Sequence, residues 1–427
     1  MMLPPVRPDR PGSARRGGAR PTRFGRACSL ALVLALALVG AIALPATPAA
    51  ARFPGALLAP PAAGGRPAVT TPGPVFTQAV TTRLARTLAD LRASNHLPGL
   101  QAAIRFPNGS AWMGHAGFAD VATRGPMGNL TLLEAGSITK TFVAALALQL
   151  SSQGVINLDD PLSRWIPGLE YDPGITLREL LDHTSGVDDA FNHAALLHAL
   201  DAHRRAVWTP GEVLAYVRAP YFPPGQGWAY SNSNYLLLGE VIERATGRTL
   251  ASLLRERFFV PLRLTHTFFQ SEEPLVGAPA HGYTYTSFRT WALKDLSDGT
   301  AHLPFTSLAT SIGAAGAIVT TSDDLARWAL YLYRGRVLPP SQLSQMLDFG
   351  LTSAFHPTLP YGLGVQRRSL DGKGSWGHAG SLSGFHAAMR YFPSADGVSI
   401  VVMTNSDHVD PDVLVKALLD ALFPSAT

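Results

Sequence analysis

The stretch Leu133-Glu134-Ala135-Gly136-Ser137-Ile138-Thr139-Lys140-Thr141-Phe142 sets the strongest constraint on this chain. A serine and a lysine three residues apart stand where a loop runs into a strongly apolar helix over residues 142–150. At a helix start, positions i and i+3 share a face, with Cβ atoms about 5–6 Å apart. Lys140 can therefore fold back to the Ser137 oxygen. Free serine is a poor nucleophile and needs a neighbouring base. Lysine is that base only when burial or nearby positive charge pulls its pKa well below about 10.4. The first-turn amides point at the same spot and can stabilise an oxyanion.

Composition sharpens this reading. Only four of the 35 basic residues are lysines, namely Lys140, Lys294, Lys373 and Lys416. Arginine cannot release its proton inside a protein, whereas lysine can. Taken alone, Ser-x-x-Lys also describes a solvated helix residue, so the weight falls on partners further along.

The formal charge of +5 comes from the leader. Residues 1–51 hold seven arginines against Asp9, and the remainder carries 28 basic and 29 acidic residues. No basic body is present to attract nucleic acid. An arginine-rich start, an apolar run over residues 27–44 and Ala49-Ala50-Ala51 have the anatomy of an export signal cleaved after Ala51. At 18 residues the run is also long enough for an uncleaved membrane anchor. The only cysteine, Cys28, lies at the start of that run and within the leader, so a mature chain has no disulfide, thiol nucleophile or cysteine metal site.

Residues 52–75, rich in proline, alanine and glycine, read as a flexible tether to a domain over residues 76–427. Leucine periodicity predicts a helix up to Asn95. Strands are expected over 99–106 and 110–118 about Pro107-Asn108-Gly109, then over 315–320, 385–392 and 398–404. Helices are expected over 323–333, behind a Thr321-x-x-Asp324 cap, and over 413–422. Residues 151–300 read as mostly helical. The fold class is α/β (α+β): an antiparallel sheet built from both chain ends, flanked by helices and interrupted by a helical insertion.

Two further stretches carry chemistry. In Tyr230-Ser231-Asn232, an extended backbone sends residues i and i+2 the same way. Tyr230 then offers a phenol that shuttles protons. Asn232 offers an amide for both a lysine ammonium and a substrate carbonyl. In Trp376-Gly377-His378-Ala379-Gly380-Ser381, small residues leave the backbone open to an acyl group. The Ser381 amide is a second oxyanion donor, and His378 brings partial or full positive charge toward Lys140.

In this order the three stretches resemble the active-site motifs of the serine β-lactamase and penicillin-binding-protein superfamily. They are most similar to the branch with class C β-lactamases, D-alanyl-D-alanine carboxypeptidases and related esterases. Leu158-Asp159-Asp160-Pro161, residues 175–186, Ala314-Ala315-Gly316 and Tyr361-Gly362-Leu363-Gly364 resemble that branch as well. The resemblance implies a β-lactamase/transpeptidase-like fold and Ser137 as the acylated nucleophile. It implies Lys140 as base, alone or with Tyr230, and Tyr230 as relay to the leaving group. Asn232 holds Lys140 and substrate, and the Ser137 and Ser381 amides form the oxyanion hole. His378-Ala379-Gly380 stands where β-lactamases usually have Lys-Thr-Gly. That departure weakens recognition of a β-lactam carboxylate.

No cofactor or metal is expected. His193, His198 and His203 are five apart and rotate to different faces of a helix. There is no His-Glu-x-x-His, and no Gly-x-Ser-x-Gly elbow. The expected function is an exported serine hydrolase of carboxypeptidase or esterase type. Its substrate is a small molecule or peptide: a cell-wall peptide ending in D-alanine, a D-amino-acid peptide or an ester. A class C-type β-lactamase and a catalytically silent peptidoglycan-binding protein are the alternatives.

Overall fold

The computed structural model describes residues 76–169 and 174–424; the leader and tether expected over residues 1–75 lie outside the described residues. Thr77 caps α1 (Gln78–Ser94) by accepting from the Val80 amide, and Leu84 and Leu88 bury its inner face. Pro107-Asn108-Gly109 turns β1 (Gly99–Arg105) back into β2 (Ala111–Asp120), in register from Gly99–Gly117 to Arg105–Ala111. After β3 (Gly125–Pro126) and β4 (Thr131–Glu134) a 3-10 turn, Gly136–Ile138, leads into α2 (Thr139–Ser152). Residues 139–148 of α2 are all buried. A helix apolar on every side has to be enclosed on every side, and α2 becomes the central rod of the molecule.

The middle of the chain is helical as far as residue 259. It comprises α3 (Leu177–Asp182), α4 (Ala194–Ala202), α5 (Pro210–Leu214), α6 (Asn232–Thr246) and α7 (Leu250–Leu254), closed by a π turn over Arg255–Phe259. Thr176 and Glu179 form a reciprocal capping box at α3. Beyond residue 264 the expected helical character gives way to strands β5 (Phe268–Phe269), β6 (Ala278–Pro279), β7 (Tyr283–Ser287) and β8 (Ala292–Asp295). The aromatic and β-branched residues of this segment pair with other strands instead of forming a helix face.

A second departure follows. Residues 306–316 form α8 (Thr306–Gly316), so the strand expected from residue 315 begins only at β9 (Ile318–Thr320). Gly313, at φ 38° and ψ −127°, kinks α8. Small residues let α8 close on α6: a Cβ on Gly239 would stand 2.8 Å from the Ala314 Cβ. The chain ends with α9 (Ser322–Tyr333), α10 (Pro340–Met346), α11 (Gly350–Phe355), β10 (Gln366–Leu370), β11 (Lys373–Leu382), β12 (Phe385–Phe392), β13 (Val398–Thr404) and α12 (Pro411–Leu422).

The main sheet runs β10-β11-β12-β13-β1-β2-β3, antiparallel throughout. Its centre joins the two ends of the chain, with β1 and β13 paired from Leu100–Thr404 to Arg105–Ser399. Side-chain alternation serves two cores. Ala102, Ile104, Ala388, Ile400 and Val402 pack with Leu84 and Leu88 of α1 and Leu414 and Leu418 of α12. Ala103, Ala387, Met389, Val401 and Met403 belong to the larger core around α2. Helices on both faces explain why central strands as apolar as β13 are stable there.

Candidate active site

The nucleophile turn is fixed from several sides before any motif partner is counted. The Ala135 amide donates to Ile318 O at 2.8 Å, and the Ile318 amide donates to Thr139 Oγ1 at 3.0 Å. Trp328 stacks on Phe142 at 3.9 Å and donates from Nε1 to Thr141 Oγ1. Beneath the turn, the Gly136 amide donates to Glu134 Oε2 and Gln270 Nε2 donates to Glu134 Oε1. Burial pushes the Glu134 carboxyl well above the usual carboxylate range. The turn therefore sits on a framework of strand, helix and buried polar contacts.

Lys140 is fully buried at the first turn of α2. Its Nζ lies 3.2 Å from Ser137 Oγ, 2.8 Å from Asn232 Oδ1 and 2.8 Å from Ala315 O. Tyr230 and Tyr235 place their rings 4.8 and 5.3 Å from the same nitrogen. Burial brings the Lys140 pKa down to about 7, with Asp189 pulling the other way. A neutral amine has two N–H bonds and one lone pair. Asn232 Oδ1 and Ala315 O occupy the two donor directions, which leaves the lone pair to face the Ser137 hydroxyl.

Ser231 is extended at φ −142° and ψ 123°, so its neighbours project to one side although Asn232 already opens α6. Tyr230 and Asn232 converge on Lys140 in consequence. The Tyr230 hydroxyl is buried with no hydrogen-bond partner, and Ser137 stands beside it. Burial pushes its pKa well up, the Ser137 hydroxyl partly offsets this, and Asp189 adds to it. His183, at φ 68°, ends α3 and accepts at Nδ1 from the Ser231 amide and Asn234 Nδ2. Its role is to lock the turn that carries Tyr230.

Strand β11 runs against the nucleophile turn at van der Waals limits. A Cβ on Gly380 would lie 1.9 Å from Ala135 O, and one on Gly136 would lie 2.8 Å from the Ser381 nitrogen. Glycine at both positions lets the Ser381 amide approach the Ser137 amide. The Ser381 side chain is exposed and its Oγ meets His386 Nε2 at 3.0 Å.

The charge expected from His378 is absent. His378 is 1% exposed, its Nδ1 faces Ala379 O, and its Nε2 meets the Tyr361 hydroxyl at 2.8 Å. A carbonyl at Nδ1 requires a proton there, so Nε2 accepts from Tyr361. Burial, then Lys140, hold the pKa well below the ordinary histidine value. The ring is a neutral support for Tyr361, behind the site. Arg390 and Arg368, whose charge bears on it, both face Asp412.

Three participants were not singled out in the sequence. Ala315 O is one: Ala314-Ala315-Gly316 is noted for its resemblance, but the strand expected there hides the carbonyl's part. Tyr361 lies in a phrase noted for its resemblance, without a role. Asp189 is the third. Its Oδ2 accepts from Asn232 Nδ2 at 3.0 Å and its Oδ1 from the Phe191 amide at 3.1 Å. It is 4% exposed, and burial raises its pKa. Among the described residues, Lys140 is the only lysine or arginine hydrogen-bonded to Ser137, Tyr230, Asn232, His378 or Ser381.

A buried lysine beside a serine at a helix start, a tyrosine–asparagine pair and a glycine-edged strand define a serine hydrolase of the β-lactamase and penicillin-binding-protein fold. The profile of the Beta-lactamase family matches residues 84–423, and the chain belongs to that family. It is similar to penicillin-binding protein 4* of Bacillus subtilis, 27% identical over 322 residues that span 72% of this chain and 68% of that protein. The D-aminopeptidase of Brucella canis is 29% identical over 319 residues, 74% of this chain; the match spans only 58% of that protein. A D-stereospecific amidohydrolase from Streptomyces sp. superposes with a TM-score of 0.69 at 30% identity, covering 81% of this chain and 99% of its own. The D-amino acid amidase of Ochrobactrum anthropi SV3 shares the fold, with a TM-score of 0.69 at 24% identity over 80% of this chain and 98% of its own.

Proposed function

We propose that this chain is an exported serine amidohydrolase that forms an acyl-enzyme on Ser137 and acts on D-amino-acid amides or short peptides with a free amino end. Asp189 carries the reading. A buried carboxylate adjoins Asn232, and among the described residues Lys140, its pKa brought down to about 7, is the only lysine or arginine hydrogen-bonded to the motif side chains. Such a site complements a substrate ammonium and repels a substrate carboxylate. The names of the Brucella and Streptomyces relatives agree with it.

The chemistry runs through this chain's own groups. Neutral Lys140 takes the Ser137 proton as Oγ attacks the amide carbonyl. The oxyanion is held by the Ser137 and Ser381 amides. Tyr230, kept protonated by burial, gives its proton to the departing amine and is reprotonated from Lys140. Water then enters and the same groups act in reverse. Of the two groups the sequence left open as base, the lysine near 7 fits the task better than a tyrosine raised by burial.

A carboxypeptidase or β-lactamase would have to seat a carboxylate, and here the third-motif residue is a buried neutral histidine followed by Ala379. The test is hydrolysis of D-alaninamide against N-acetyl-D-alaninamide and a diacetylated lysyl-D-alanyl-D-alanine, with Ser137→Ala as control. Preference for the free amine, lost in Ser137→Ala, is expected. Preference for the acylated D-alanyl-D-alanine peptide would restore the carboxypeptidase reading. Inertness toward all three would return the chain to the silent binding proteins of this fold.

A further inference from the structure

At the opposite end of β1 from the catalytic row lies a second concavity. Ser381 is in line with His386, Thr404 and Leu100 across the sheet, whereas Arg105 lies five residues along β1, about 16 Å away. There a hollow of about 270 Å³ is bounded by the Pro107-Asn108-Gly109 turn and by the last turns of α9. Its walls include four arginines, Arg105, Arg327, Arg334 and Arg336.

The charges in this hollow do not balance. Arg105 makes a two-pronged pair with Asp323, at 2.7 Å on both sides. Arg327 reaches the same carboxylate only at 3.6 Å, and its Nε is buried without a partner. Arg334 makes one long contact, 3.5 Å to Pro107 O. Arg336 lays its guanidinium over the Tyr331 ring at 5.6 Å, which leaves its in-plane N–H groups to other acceptors. Asp323 supplies one negative charge and the C-terminal end of α9 about half of another. An excess of more than two positive charges lines the hollow, with Arg327 half-buried and Arg334 and Arg336 exposed at its rim.

We propose that this hollow is a binding site for a multiply charged oxyanion of the phosphate class. Guanidinium forks match tetrahedral oxyanions bidentately, and Arg327, Arg334 and Arg336 line the same hollow as an Arg105 already paired with Asp323. The volume admits more than one phosphate group. The site is separate from the acyl-transfer chemistry, and the proposal does not depend on the proposed substrate.

The test uses the full chain and the Arg327→Ala/Arg334→Ala variant, neither residue being part of the catalytic machinery. Sodium pyrophosphate at tenfold its dissociation constant should raise the thermal midpoint of the wild type by about 2 °C or more, with sodium chloride at matched ionic strength as control. The variant should keep its hydrolase activity and lose the shift. Co-sedimentation with phosphatidylglycerol vesicles, against phosphatidylcholine vesicles, separates the sources of the phosphate. Arginine-dependent binding to the anionic vesicles assigns the site to lipid headgroups, and a pyrophosphate response without it assigns the site to soluble phosphates. No response to either probe, or one the variant retains, overturns the proposal.

Discussion

Lys140 Nζ faces Ser137 Oγ at 3.2 Å because its two other hydrogen-bonding directions are already taken by Asn232 Oδ1 and Ala315 O, each at 2.8 Å. The lysine's lone pair thus has one destination. Lys140→Arg should fold, because the cavity is lined by acceptors, yet lose activity by about 10²–10⁴-fold, since a guanidinium cannot accept the proton. Single-turnover acylation with an activated ester measures it. A loss of less than about tenfold would show that Tyr230 is the base.

The pH dependence follows from the same amine. Its pKa of about 7 in the folded protein makes the base charged and idle below that value. The kcat/KM should therefore rise with pH through about 7. For a substrate read through its ammonium it should fall again above about 8, where an α-amino group loses its proton. An ester without an amine should show only the rising limb. A falling limb of equal size for both substrates would remove ammonium recognition from the explanation.

Asp189→Asn keeps the shape of the side chain and removes its charge. Hydrogen bonds to charged groups contribute about 1.5–3 kcal/mol, so KM for D-alaninamide should rise about tenfold to a hundredfold. The amine-free ester should change far less in KM. Loss of the negative charge also lowers the Lys140 pKa further, moving the acid limb to lower pH. An unchanged limb would mean that Asp189 acts only as a turn residue.

Gly380→Ala tests the close passage of β11. The added methyl would meet Ala135 O at 1.9 Å, so strand and nucleophile turn must separate. Overpacking of this kind costs about 1–3 kcal/mol of stability, and a displaced oxyanion donor costs about 10²–10³ in kcat. Thermal denaturation and kcat together check both.

Arg390 is wholly buried and makes a two-pronged pair with Asp412, while a further N–H reaches Gln366 Oε1. Gln366 Oε1 in turn accepts from the Ala379 amide at 3.0 Å, tying the pair to β11. Arg390→Met leaves the buried Asp412 with only the 3.6 Å contact to Arg368, and should destabilise by about 3–5 kcal/mol in urea unfolding. Arg390→Met with Asp412→Leu should regain most of it. Failure of the double variant to recover would place the loss in the Gln366–Ala379 link instead.

What the sequence disclosed depended on the range of the interactions. Ser137 and Lys140 were legible because their relationship is a helix repeat, and Tyr230 and Asn232 because one extended residue separates them. The hairpin expected over 385–392 and 398–404 appears over Phe385–Phe392 and Val398–Thr404, because alternation and a turn are local signals. Asp189 was not legible: its place beside Asn232 depends on a loop held by Tyr221 and Ser233, and nothing near it in the chain announces this. The charge expected of His378 failed for the same reason, since only the packing of Tyr361 and the depth of β11 decide that it stays neutral. The helix that runs on to Gly316, where a strand was expected from residue 315, was hidden by alanines and glycines whose task is close helix approach.

The pairing of β1 with β13 also sets a timetable. A growing chain makes β1 by residue 105, but the neighbour that completes its ladder arrives only with residues 398–404. The Ser137 turn likewise waits for β11 to deliver the Ser381 amide. Until residues 373–382 have joined the sheet, the serine has a helix to stand on and only one of the two proposed oxyanion donors. On the proposed mechanism, a chain assembled in this order stays silent until β11 is in place.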